Sequence, residues 1–253
     1  MFDDRLENEI DLQPYPLIFV TVSGAHLYGF PSPDSDYDLR GLHRLPLGEI
    51  IGLKQGRETI ETTVIRDSLE IDLVTHDLKK YFQMVLKRNG YVLEQIYSPL
   101  VMRTSPAHDR LKEIARDCIT RRHSHHYLGM ASNQWKLFEK EDPRRVKPLL
   151  YVFRVLLTGI HLMRSGRVEA NLLSLNREFK LPYIDDLVAR KLAGPEKGTL
   201  LPDDYPFFEK EFLRLMAKLE TAAEKTKLPE TPSSQAREDL NDLLVQLRLE
   251  KAG

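Results

Sequence analysis

One cysteine, Cys118, stands in a chain of 253 residues. It excludes an internal disulfide, suits a reducing compartment, and reads as a small core residue on a helix. An excess of one charge is also missing: 37 Lys and Arg against 38 Asp and Glu leave a net charge of −1. No apolar run approaches the roughly 20 residues that a membrane-spanning helix needs. The start, MFDDRLENEI, is acidic and has no apolar signal region, so a cytoplasmic protein with no membrane partner is expected. Aromatics make up 8% of the chain, their interleaving with basic residues is sparse, and no recognisable RNA-binding module is present. No Ser-His-Asp or Cys-His arrangement and no lysine-bearing P-loop can be found, which turns attention from reactive side chains to charge-based chemistry. Internal repeats and low-complexity segments are absent as well.

What is present is 42% hydrophobic and 30% charged residues, the balance of a globular protein long enough for one large or two small domains. Charge is spread unevenly. Residues 1–100 carry 10 Lys and Arg against 16 Asp and Glu, and the remainder carries 27 against 22. An acidic first part fits a domain whose carboxylates await metal, and a basic second part fits one that meets phosphate.

The most informative stretch is Thr21 to Leu42, TVSGAHLYGFPSPDSDYDLRGL. The apolar run LIFVTV reads as a buried strand ending at Ser23-Gly24. Small residues there suit close backbone approach to an anion, and Gly24 to Tyr28 reads as one helical turn. A loop rich in Pro and Ser follows, and then a second strand from Tyr37 to His43. Alternation along that strand puts Asp36 and Asp38 on one face, opposite Tyr37 and Leu39. Two adjacent carboxylates repel, and Mg²⁺ with substrate phosphates is the natural neutraliser of such hard oxygen ligands.

The motif Gly24-Ala25, ten residues of loop, then Asp36-Tyr37-Asp38 resembles the signature of DNA polymerase beta-like nucleotidyltransferases. The longer string SGAHLYGFPSPDSDYDLRGL is similar to the branch associated with RNA ligases, called RlaP-like. The likeness is close over about the first hundred residues and looser beyond. It implies an α+β fold: a small mixed-sheet nucleotidyltransferase domain over 1–100 and a helical substrate- and nucleotide-binding domain over 101–253. It also implies that Asp36 and Asp38 bind Mg²⁺ or Mn²⁺ and that Ser23 and Gly24 cradle a nucleoside triphosphate such as ATP. One departure stands out: the family's usual phosphate-binding serine is Ala25 here, leaving Ser23 or Ser35 to supply the hydroxyl.

Further on, ETIETTVI (residues 58–65) and LEIDLV (69–74) read as a hairpin across a turn at Arg66-Asp67-Ser68. The resemblance implies a third catalytic and metal-binding acid on a later strand. Asp72 is the candidate, with Glu70 its neighbour on the same face. Thr75 reads as the cap of a helix that stops at Asn89-Gly90. From Pro106 the pattern is wholly helical. In RRHSHH, helical spacing sets Arg122, His125 and His126 on one side, a candidate phosphate-contacting surface. Lys147, Tyr151, Arg154 and His161 form one stripe of an apolar helix. Their partners are either a structural Asp or Glu or, as the resemblance implies for Lys147 and Arg154, the triphosphate and base.

The implied reaction is two-metal transfer of NMP from a triphosphate to a hydroxyl, with release of pyrophosphate. The family's association points to an RNA end as acceptor and to RNA processing. Protein or small-molecule acceptors stand beside it. A reading of another class, a non-catalytic nucleotide-binding regulatory module, is raised by Ala25.

Overall fold

The computed structural model describes residues 3–194 and 198–250. The chain forms a mixed α/β fold of two compact units. One takes the chain through Leu27, Asp34–Ile119 and the segment from Thr231 on, and the other takes Tyr28–Pro33 and Thr120–Glu230. The division thus falls later than residue 100, and the sheet unit reclaims the last helix.

The sheet unit is built on five strands in the order β3-β4-β2-β1-β5. They are β1 (Leu17–Val22), β2 (Tyr37–His43), β3 (Thr59–Arg66), β4 (Leu69–Asp77) and β5 (Val101–Arg103). β2 and β4 run parallel, and the other pairs are antiparallel. The hairpin between β3 and β4 turns at Asp67 and Ser68, both at positive φ. β4 is longer than its sequence reads. Thr75 and His76 stay in the strand, paired with Gly41 and Leu42, and Thr75 Oγ1 meets His43 Nδ1 at 2.8 Å. Asp77, not Thr75, therefore caps the helix that follows, accepting from Lys79 N at 3.0 Å.

Each face of the sheet is covered. The polar lead-in forms a helix, α1 (Asp4–Asp11), capped by Asp3, and its Leu6 and Ile10 bury against Val20, Val22, Leu39, Ile71 and Leu73. After α2 (Gly24–Tyr28) and α3 (Leu47–Ile51), the opposite face receives α4 (Leu78–Leu86), α5 (Gly90–Ile96) and α6 (Pro106–Arg116). Leu78, Tyr81, Phe82, Val92, Ile96 and Leu111 pack there on Phe19 and Leu42. Cys118, fully buried, lies just past α6; burial pushes its thiol up to about 12.

The helical unit holds α7 (His123–Glu139), α8 (Val146–Ser165), α9 (Leu172–Phe179), α10 (Pro182–Leu192) and α11 (Tyr205–Lys225), and α12 (Ser234–Leu249) returns to the sheet unit. α8 reaches 20 residues at a mean hydropathy of 1.4, the length and composition of a membrane span, which the run-by-run reading of the sequence did not anticipate. Its most apolar window is 78% buried inside the protein, against α7, α9, α10 and α11. Of the stretch read as a phosphate-contacting side, Arg122 and His125 are exposed and His126 is half-buried. His123 is buried against Thr120, and Arg121 and Arg122 pair with Glu230 at 3.1 Å.

Candidate functional site

The site is assembled at the start of β2. Val22 ends β1, and Ser23 N donates to the Asp38 carbonyl at 2.7 Å, which ties the turn to the strand. Gly24 has φ +60°, and a Cβ added there would lie 1.9 Å from Asp38 Oδ2. Only glycine lets this carboxylate come so close to the turn. Ser23 Oγ is buried with no hydrogen-bond partner among the described residues. Ala25, where the resemblance places a serine, is also buried. His26 stacks on Tyr37 with ring centroids 4.0 Å apart; burial lowers its pKa, against the pull of the Ser35 backbone and of Asp36.

Parallel pairing of β2 with β4 sets Asp38 directly beside Asp72. Both stand on the face covered by α4 to α6. The group that joins them is one the sequence reading passed over. Arg40 Nη2 donates to Asp38 Oδ1 at 2.6 Å and to Asp72 Oδ2 at 2.9 Å. Its Nε donates to Tyr91 Oη at 2.9 Å, and its Nη1 to the carbonyls of Leu39 and Asp72 at 2.9 and 2.8 Å. Thr63 Oγ1 donates to the other Asp72 oxygen at 3.1 Å. Burial raises the Asp38 pKa; Arg40 opposes that shift, while the charges of Asp36 and Asp72 add to it. A part-buried carboxylate pair of this kind requires a cation, and Arg40 is the one the chain itself supplies.

Of the residues singled out from sequence, Asp38 and Asp72 come together. Asp36 is close enough to influence Asp38 electrostatically, but among the described residues no three His, Cys, Asp or Glu side chains gather tightly enough to hold a metal. Ser23, Gly24 and Ser35 lie in the sheet unit, and Lys147 and Arg154 in the helical unit. Lys147 is exposed on the first turn of α8. Arg154 is fully buried, its guanidinium 3.8 Å from the Tyr28 ring centroid. His161 finds a carboxylate, Glu178, at 2.8 Å. Glu70 is exposed and pairs in register with Ile65. Arg40 was legible by the alternation that placed the acids, since positions 36, 38 and 40 share a face. Thr63 and Tyr91 needed the sheet register and the α5 packing.

Oxygen donors at a glycine turn, on paired strands of a mixed sheet, are what the structure brings together here. The chain belongs to the polymerase beta-like nucleotidyltransferase family RlaP, described as the RNA repair pathway DNA polymerase beta family, whose model matches residues 2–246. The uncharacterized protein MJ0002 of Methanocaldococcus jannaschii is 35% identical over 61% of this chain; the chain spans 63% of that relative's length. The uncharacterized protein YcgL of Bacillus subtilis is 28% identical over 83% of this chain and 84% of its own. A solved nucleotidyltransferase-like protein from Exiguobacterium sibiricum covers 99% of this chain and 79% of its own, at 12% identity and a TM-score of 0.34, too distant to add to the argument.

Proposed function

We propose that the protein transfers a nucleoside monophosphate from a triphosphate to a hydroxyl acceptor and releases pyrophosphate. The observation that carries this reading is the register pairing of Asp38 with Asp72 beside the Gly24 turn. The donor set fits a hard divalent cation: carboxylate oxygens, part-buried, already arranged around a positive charge. Asp36, Asp38 and Asp72 are the residues that would hold Mg²⁺ or Mn²⁺. Such ions, when bound, neutralise the triphosphate and stabilise the entering and leaving oxygens.

The chain's own groups do the rest. Gly24 gives the triphosphate a backbone without a side chain in its path. Ser23 Oγ, without a hydrogen-bond partner among the described residues, offers a hydroxyl where Ala25 has none, and Ser35 is the second candidate. Arg40 aligns the two carboxylates, its own position fixed by Tyr91 and two backbone carbonyls. Thr63 orients Asp72. This is positioning and electrostatic catalysis, with no covalent intermediate on the protein.

An RNA end is the acceptor this reading favours, supported by the RNA-repair description of the family. The test is transfer of label from an α-labelled triphosphate, with Mg²⁺ or Mn²⁺, to RNA, protein and aminoglycoside acceptors offered in parallel. Label on RNA ends is the expected result. Triphosphate bound but label on none of them would favour the regulatory module, which the Arg40 bridge and Ala25 also accommodate.

A further inference from the structure

Within the helical unit a groove of about 640 Å³ opens between the ends of α8 and α11, lined by Arg164, Gly166, Lys218, Thr221, Lys225 and Lys227 among others. Among the described residues no acidic side chain lines it. Glu178 lies 3.8 Å from Arg164 and is shared with His161 at 2.8 Å. Lys218, Thr221 and Lys225 follow each other at helical spacing and so share one stripe of α11.

A bland account exists for part of this charge. Arg164 and Lys225 sit in the last turns of α8 and α11, where cations offset the helix dipole. That account does not reach Lys218, nearly two turns before the end of α11, or Lys227, beyond it. Lys218 is half-buried, and among the described residues its Nζ makes no hydrogen bond or ion pair. It lies over the Phe179 ring at 5.2 Å, and Arg164 lies over the same ring at 5.7 Å. Burial lowers the Lys218 pKa, and the repulsion of Arg164 and Arg214 adds to that. Glu178 and Glu211 pull the other way but are themselves engaged by His161, Arg164 and Arg214, so a further anion would relieve the like charges around this half-buried ammonium.

We propose that this groove binds the phosphodiester backbone of single-stranded RNA. The volume exceeds that of one phosphate, so the groove takes a run of them. The rim cations are exposed lysines, point charges on flexible stems, which suit sequence-independent contact with a strand. With a net charge of −1, the protein has no general attraction for polyanions, and a local cationic groove is what would draw one in. The proposal rests on the nucleotidyl-transfer reading for its choice of an RNA strand, and it names how that acceptor would be held.

The experiment is a titration of fluorescein-labelled single-stranded RNA by wild-type protein and by the Lys218→Glu/Lys225→Glu variant, at several salt concentrations. It contains neither metal nor triphosphate, so it tests the groove alone, while label transfer by the wild type tests the nucleotidyl reading alone. The variant is expected to bind at least about tenfold more weakly. Its slope of log affinity against log salt should fall by about 1.4, or about 0.7 for each phosphate no longer neutralised. Lys218→Arg/Lys225→Arg should restore both, which separates charge from fold. Unchanged affinity and slope in the glutamate variant would overturn the proposal. So would equal binding of a poly-glutamate peptide, which would make the groove a generic acid receptor.

Discussion

Arg40 in the sheet unit and Arg154 in the helical unit are both largely withdrawn from water, and the two meet different surroundings. In the sheet unit, Arg40 bridges Asp38 and Asp72 and is pinned by Tyr91. In the helical unit, Arg154 is fully buried with its guanidinium over the face of Tyr28. The first arrangement sets a cation on two carboxylates, groups that a hard divalent ion also seeks. The second includes a planar cation laid on a ring, a contact to which shape and stacking contribute. A buried arginine is therefore not by itself a sign of a site. The Asp38–Asp72 pair around Arg40 is the setting in which another cation could take its place.

The largest expected effect strikes the Arg40 side. Asp38→Asn removes a charge that both Arg40 and a metal require, and label transfer should fall at least about 100-fold. Unchanged transfer would remove the acids from the chemistry. Gly24→Ala adds a Cβ where Asp38 Oδ2 stands, at a positive φ. It should cost about 1–3 kcal/mol in denaturant unfolding and displace the carboxylate as well. Arg40→Met frees both carboxylates of their resident cation. Mn²⁺ affinity, read by electron paramagnetic resonance, should tighten about tenfold, the scale of a hydrogen bond to a charged group. Metal-free stability should drop at the same time, because two carboxylates then face each other alone. No gain in metal affinity would mean that Arg40 and the ion do not share the pair. Arg154→Lys keeps the charge but loses the planar stack, and should cost about 1 kcal/mol of stability while Mn²⁺ affinity holds. A weaker affinity for triphosphate in that variant would return Arg154 to the nucleotide site that the helical stripe suggested.

The difference between the two arginines was only half legible in the sequence. Asp36, Asp38 and the Gly24 turn could be read because residue type and spacing are local. Asp72 was singled out by the resemblance, since alternation alone puts Glu70 on the same face. Arg40 shares the alternation of Asp36 and Asp38, yet a cation after two acids reads equally well as a solvated strand residue; only the β2–β4 register shows that it bridges. The stripe on α8 was visible, but which of its members is buried depends on Tyr28 and Glu178, far away in the chain. The same holds for larger features. β5 has three residues and no pattern to read. α1 was hidden in a short polar segment whose Leu6 and Ile10 gain meaning only from the sheet they cover. The return of α12 to the sheet unit is a long-range packing choice with no local signal. Thr75 and Asp77 are both good helix caps, and the choice fell to Asp77 because β2 pairs with β4 that far.

A finer comparison pits a buried histidine of the sheet unit against one of the helical unit. His108 is fully buried, stacked on Phe19 with centroids 4.1 Å apart, with Nδ1 on Thr104 and Nε2 on the Ile96 carbonyl. His123 is buried against Thr120. Burial holds both down to about 4, from an ordinary 6.5. The folded state thus keeps both rings neutral while the unfolded state protonates them. Their stabilising effect is fully present above pH 6.5 and declines as pH falls from 6.5 toward 4. Each should contribute a loss of about 0.7 kcal/mol between pH 7 and pH 6, measured by urea unfolding. His108→Gln, which keeps a donor for Ile96 but cannot titrate, should remove about half of the part due to these two rings. An undiminished pH dependence in that variant would remove His108 from the groups whose protonation on unfolding makes the protein sensitive to acid.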